Sequence, residues 1–267
     1  MAIQKGHIKY VGTLGDVRHF TIKGLPEYYA GMKGGPSGDQ IQNDPAFIRT
    51  RENMNEFGGC AKAGKSVRNA LASIVSQMSD SQLTGRLTGI MKKINLEDQS
   101  EARGYRAILI SQQRQYLQAL QFDKNVNFDS VFSAPYSNSH VAARNEATLA
   151  VPTFNPQSFI SAPAGATHFR LLSALAVISD FEYDNNSGDY VPIDNANNET
   201  SIVTYSDYLD LTAPVPVQSI VTTLAGGPTL GTDVSVLQCT GIEFFQKVGA
   251  NYYLFSSANS LKISDIF

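Results

Sequence analysis

Eight consecutive residues, Gly59-Cys-Ala-Lys-Ala-Gly64-Lys65-Ser66, satisfy the pattern G-x-x-x-x-G-K-[ST]. In a phosphate-binding loop of that pattern the glycines let backbone N–H groups wrap a phosphate. The lysine reaches the outer phosphates, and the serine hydroxyl binds magnesium. That chemistry needs a buried β-strand running straight into the loop. In this chain the preceding residues, Arg49-Thr-Arg-Glu-Asn-Met-Asn-Glu56-Phe57, are polar and helically spaced. Leu175-Ala-Val-Ile-Ser-Asp180 has the form of the magnesium-side strand of such a site, but it lies among strands of another kind. The strand–helix alternation of a parallel sheet is missing. The expectation is therefore a packed helix, in which Gly58, Ala61 and Gly64 admit a close neighbour and Lys62 and Lys65 face solvent.

Other residue types capable of chemistry are scattered. His7, His19, His140 and His168 share no metal-ligand spacing, and neither Cys60 nor Cys239 lies in a CxxC. Both cysteines are expected as free thiols. Asp180, Glu182, Asp184 and Asp189 surround Asn185-Asn-Ser-Gly188, and closely spaced carboxylates can hold calcium. The order of an EF-hand fails, because the glycine is misplaced and no glutamate closes the loop, so a solvated turn is expected. Asn185-Asn-Ser187 and Asn198-Glu-Thr200 match the glycosylation sequon and read as chance matches. No G-x-S-x-G elbow and no zinc helix occurs. No catalytic residue, cofactor or metal ligand is assigned, and the chain is expected not to be an enzyme.

The elements that would position these residues change character along the chain. His7–Thr13 and Val17–Lys23 flank Gly15-Asp16 and predict a β-hairpin. Gly31–Asn43 lacks periodicity and reads as a loop or arm. Asp44-Pro45 is a helix start. Phe47, Met54, Phe57, Ala61, Val67, Leu71, Ile74 and Met78 follow, as one long helix or as two broken at Gly58-Gly59. Leu83, Leu87, Ile90, Met91 and Ile94 form a second helical stripe, with Asp80 or Ser81 as cap, and a third helix is expected from about Glu101 to Leu120. Beyond Phe122 the strands begin: 125–132, 147–154, 168–181, 201–205, 215–224, 234–248 and 252–256. Their number and spacing predict an antiparallel β-sandwich. The clearest hairpin is 244–255, turning at Gly249-Ala-Asn251. The fold class is α+β, organised as a hairpin and arm (1–43), a helical region (44–123) and a β-sandwich (124–267).

Charge follows the same division. Residues 1–123 hold 16 Lys and Arg against 11 Asp and Glu, whereas residues 124–267 hold 5 against 13. The basic front is too weakly charged, and too interleaved with acids, to predict nucleic-acid binding. No apolar run approaches the roughly 18 residues of a membrane span. The start, MAIQKGHIKYVGTLG, has no apolar core of a signal peptide, so synthesis in the cytosol is expected, with release as part of an assembly as one outcome.

Several motifs carry a resemblance: Gln4-Lys-Gly-His-Ile-Lys9 with Gly12-Thr-Leu-Gly-Asp16; Asn43-Asp-Pro-Ala-Phe47 with Arg49-Thr-Arg-Glu-Asn53, Glu56-Phe-Gly58 and Ala63-Gly-Lys65; Ala164-Gly-Ala-Thr-His-Phe-Arg170; and Gly241-Ile-Glu-Phe-Phe245. Over nearly its whole length the chain resembles a family of uncharacterised Bacteroidota proteins. The resemblance implies neither a catalytic site nor a ligand. The expected function is a structural subunit that assembles with itself into a tube, filament, sheath or phage-like particle, its basic front meeting an acidic back. The alternative is a β-sandwich module binding a glycan, peptide or surface partner through Tyr136, Tyr190 and Tyr208. Nucleotide binding at Gly59–Ser66 stands third.

Overall fold

The computed structural model describes residues 2–32 and 34–267. The chain divides into two compact units, Met1–Arg51 and Glu52–Phe267.

The first unit is a four-stranded antiparallel sheet of β1 (Ala2–Ile3), β2 (Gly12–Leu14), β3 (Val17–Thr21) and β4 (Tyr28–Met32), in the order β1-β4-β3-β2. The expected hairpin is present, turning at Gly15 (φ 59°), but its first strand begins only at Gly12. The stretch expected as a loop from Gly31 to Asn43 instead contains the end of β4 and a short helix, α1 (Gly38–Asn43); Lys33, within it, lies outside the described residues. The helix forms because Ser37 and Gln40 make a capping box. The Gln40 amide donates to Ser37 Oγ (3.1 Å), and the Ser37 amide donates to Gln40 Oε1 (2.7 Å). Asp44 then accepts from the Ala46 amide (2.8 Å) and caps the turn Pro45–Phe47. None of the described residues from 2 to 51 is buried.

The long helix α2 (Ile48–Ala70) runs unbroken through Gly58-Gly59, and the chain bends instead at Leu71 (φ −105°, ψ 19°), before α3 (Ala72–Met78). Helix α4 (Leu83–Glu97) buries Leu83, Leu87, Met91 and Ile94 as its stripe predicts. The third helix expected over Glu101–Leu120 does not form; only two 3₁₀ turns do, Ile110–Gln112 and Arg114–Tyr116. Side chains from elsewhere satisfy the backbone in this stretch, in place of a helical ladder. Glu56 accepts from the Gly104 amide, Asp98 from the Ala107 amide, and Asn95 donates to the Arg106 carbonyl, while Gly104 sits at φ 99°. Residues 125–132, expected as a strand, hold the one-turn helix α5 (Phe128–Val131), capped by Asn127.

The sheets of the second unit are antiparallel. Strands β5 (Ser137–His140) and β6 (Glu146–Val151) precede a turn of helix, α6 (Pro156–Phe159). Then follow β7 (His168–Ser179), β8 (Phe181–Asp184), β9 (Asp189–Pro192), β10 (Ser201–Tyr205), β11 (Leu209–Asp210), β12 (Gln218–Thr223), β13 (Val234–Val248), β14 (Asn251–Leu254) and β15 (Ser260–Ile266). A six-stranded sheet has β7 and β13 at its centre, paired from Val234↔Ser179 to Phe245↔His168. A three-stranded sheet runs β12-β6-β5, and β8 pairs with β9 as a separate ribbon.

Both faces of the central pair are covered. Leu172, Ala174, Ala176, Ile178, Leu237 and Cys239 join one core with Val67, Leu71, Leu87 and Met91 of the helices. Alternate residues point the other way. Phe169, Leu171, Ile242 and Phe244 pack with Leu149, Val151 and Ile220 of the three-stranded sheet, and Leu175, Val177, Val234 and Val236 with Ala147 and Leu224. Double coverage explains why these strands read as nearly continuous apolar runs with no alternation. Residues 52–123 therefore share a core with residues 124–267.

Gly241, in mid-β13, marks a close approach within this packing. A Cβ there would lie 2.9 Å from the Ser260 carbonyl and 3.0 Å from Leu172 and Leu261 side chains. Gly241→Ala is expected to cost about 1–3 kcal/mol through overpacking. Urea unfolding should show a lower midpoint at unchanged slope.

Candidate functional site

The eight residues of the nucleotide-like motif lie wholly inside α2. There the amides that would cradle phosphate are committed to the helix ladder. Gly59 is buried because the ring of Tyr190 lies against it, and a Cβ would collide with that ring. Gly64 faces α4, where a Cβ would meet Leu87 Cβ and the Thr88 amide at 3.3 Å. Gly58, expected at a contact, is exposed with open space around it. Ser66 is buried, and its hydroxyl donates to Asn198 Oδ1 (3.0 Å). Lys62 and Lys65 are exposed, Lys62 pairing with Asp189.

The most heavily engaged charge belongs to a motif of the resemblance, Glu56-Phe-Gly58, to which the sequence assigned no role. Glu56, one turn ahead of Cys60 on α2, is fully buried. It takes a two-pronged contact from Arg106 (Nε 2.8 Å, Nη2 2.9 Å), an ion pair from Lys92 on α4 and the Gly104 amide at 2.7 Å. Lys92 also donates to Asn95 Oδ1 (2.8 Å), and the Arg106 carbonyl accepts from Asn95 Nδ2 (2.6 Å) and from the Tyr190 hydroxyl (2.9 Å). Burial alone pushes the Glu56 carboxyl upward. The hydrogen bonds from Arg106, Lys92 and Gly104 outweigh it and hold the pKa down at about 2. A carboxylate so held stays ionised at neutral pH and is poorly matched to proton transfer. Its evident work is to join α2, α4 and the 104–107 loop. A hint was available: the helical spacing puts Glu56 on the same side of α2 as Ala63, but nothing local names its partners.

Beside this knot lies an open groove of about 420 Å³ between the 100–109 loop and the β8–β9 ribbon. Tyr105 and Tyr183 meet edge to face across 4.8 Å, and Glu101 and Glu182 line the groove as exposed carboxylates. At the far end of the large sheet is an aromatic patch. The Tyr208 and Tyr252 rings stack in parallel at 3.9 Å, and the Arg170 guanidinium lies 3.8 Å from the centre of the Tyr205 ring, paired to Glu243.

The remaining sequence candidates are dispersed. Asp184 accepts from the Asn186 and Ser187 amides and shapes the β8–β9 turn, Asp189 pairs with Lys62, and Asp180 accepts from Ser111. Among the described residues no group of three His, Cys, Asp or Glu is placed to hold a metal ion. His7 is exposed in the first unit, and His19 lies 4.4 Å from the Tyr10 ring. His140 stacks on Phe267 (3.9 Å), and His168 meets Tyr252 edge-on. Asn198 of the second sequon also accepts from the Ser179 amide (3.0 Å), so its side chain is a structural bridge. Of the tyrosines expected as contacts, only Tyr208 is well exposed. Tyr136 packs on Phe128 and Phe132, and Tyr190 is core. Cys60 and Cys239 are free and buried.

No protein-family model matches the chain, and no curated protein matches it. No helix among the described residues is long and apolar enough to cross a membrane.

Glu56 contributes stability that is fully present above the unfolded carboxyl pKa of about 4.3 and is lost as pH falls toward about 2. The loss across that window should be about 3 kcal/mol. In Glu56→Gln it should disappear from the difference between denaturation curves at pH 5 and pH 2.5, and the variant should be less stable at pH 7. Burial raises both thiols, Cys60 to about 12, so neither should react with a thiol reagent until the protein unfolds. Native labelling within minutes would contradict the burial.

Proposed function

We propose that the chain is a non-enzymatic structural subunit of a self-assembling homopolymer. The observation that carries this reading is the first unit. Its sheet has four strands and defined register, yet none of its described residues is buried. Ile8, Val11, Leu14 and Met32 are 82%, 63%, 68% and 73% exposed. A small sheet needs an apolar face packed against something to persist. Leu14 and Met32 both stand opposite Val17 in the sheet register, and exposed apolar residues grouped in this way form an interaction surface. A neighbouring copy supplies that cover.

Charge supports the same reading. Residues 1–51 carry seven Lys and Arg against four Asp and Glu, and residues 52–267 carry fourteen against twenty. Contacts between unlike surfaces are heterologous and propagate into rings or filaments. Cytosolic synthesis followed by release as part of the assembly fits this role. A second reading, a β-sandwich binding module, draws on the Tyr208–Tyr252 stack and the exposed Tyr205 ring, which offer an aromatic face to a sugar or peptide.

Purified full-length protein should form polymers visible by negative-stain microscopy, growing with concentration in light scattering. Leu14→Asp with Met32→Asp changes two exposed positions, so monomer stability should shift by no more than about 0.5 kcal/mol per site. Polymer should nevertheless be lost. Wild-type protein that stays monomeric at high concentration would overturn the reading.

A further inference from the structure

The groove between the 100–109 loop and the β8–β9 ribbon has a chemical character that specifies its occupant. Glu101 and Glu182 line it, both exposed and neither paired among the described residues, and no Lys, Arg or His lines it. Tyr105, 46% exposed, and Tyr183 add aromatic surface, while Leu109 and Ile193 add aliphatic surface. A suitable occupant has an apolar body and one or two cations, which carboxylates pair and aromatic faces attract. The volume, about 420 Å³, suits a few side chains.

The chain itself carries such a group. Between β1 and β2 the Gln4 side chain closes a loop, donating to the Tyr10 carbonyl (3.2 Å) and the Tyr29 carbonyl (3.1 Å) and accepting from the Tyr10 amide (3.4 Å). The tip so presented is Lys5-Gly-His-Ile8-Lys9. Ile8 is 82% exposed, the most exposed large apolar side chain among the described residues, with a lysine on either side. Lys9 has only a distant contact, 5.7 Å from the Tyr28 ring centre.

We propose that the Lys5–Lys9 tip of one copy docks into the Glu101/Glu182 groove of the next, Ile8 entering against Leu109 and Ile193 while the lysines pair with the two carboxylates. This deepens the self-assembly reading and rests on it. Tip and groove are built from different residues, so the contact is heterologous and each docked copy still carries one unused tip or groove for a further copy, which is how a head-to-tail chain grows.

A charge exchange between copies tests it, with full-length protein throughout and circular dichroism confirming the fold of each variant. One variant carries Lys5→Glu and Lys9→Glu; the other carries Glu101→Lys and Glu182→Lys. Each alone should need a roughly tenfold or greater concentration to pellet half its mass, because like charges then face each other. An equimolar mixture should recover wild-type pelleting, since the intact tip of one meets the intact groove of the other, and reversed tip meets reversed groove. Wild-type pelleting should also weaken as sodium chloride is raised. If each variant pellets like the wild type, the contact is wrong while self-assembly stands. If both variants fail and the mixture fails too, the two surfaces do not meet each other, and the proposal falls. If the wild type never polymerises, the self-assembly reading falls and this contact with it.

Discussion

Two strands, β7 and β13, have to be covered on both faces at once, and most of the second unit follows from that requirement. Each buried Leu, Ile or Phe on the pair contributes about 1.5–3 kcal/mol when taken from water, so neither face can be left open. The helices cover one face through Leu172, Ala174, Ile178 and Cys239, and the β12-β6-β5 sheet covers the other through Phe169, Leu171 and Phe244. Paired along twelve positions of β7, the two strands also supply the ladder onto which β10, β11, β14 and β15 are added.

The helical layer is held to this sheet by close approach and by one buried ionic knot. Gly59 lets the Tyr190 ring lie on α2, and Gly64 lets α4 come near. Glu56 then ties Lys92 of α4 and Arg106 of the following loop to α2. Removing one partner of such a cluster leaves a charge buried without compensation, which costs more than the cluster contributes when complete. The same knot keeps residues 101–109 out of a helix, and so shapes the wall of the adjacent groove.

Periodic features were legible in the sequence, and features set by tertiary contact were not. The stripe of α4, the ends of β10 and β13, the start at Asp44-Pro45 and the turn at Gly249 all follow from local pattern. The Glu101–Leu120 stretch has helix-forming residues, but Glu56, Asp98 and Asn95 bond its backbone from a distance. The span at 125–132 has strand-like residues, yet Asn127 caps a helical turn there. Strand β15 has only Leu261, Ile263 and Ile266 as apolar residues, set among Lys262, Ser264 and Asp265, so it lacked the apolar run that marked β7 and β13. The motif at Gly59–Ser66 is spaced for phosphate because close helix packing also selects small residues at such intervals. Of the groove, only Glu182 stood out among the clustered acids; Glu101, Tyr105 and Tyr183 meet there through the path of a loop that pattern assigned to a helix.

The first unit stands apart in its physics. Its strands are registered and its loop tip is braced by Gln4, but none of its described residues is buried. If a neighbouring copy provides the missing cover, the sheet gains its protection from solvent only on assembly. Hydrogen exchange of the β3 and β4 amides, measured on dilute protein and on protein at assembling concentration, tests this most directly. Protection of those amides should rise sharply with assembly while that of β7 and β13 stays the same. Equal and strong protection of β3 and β4 in the dilute monomer would contradict it.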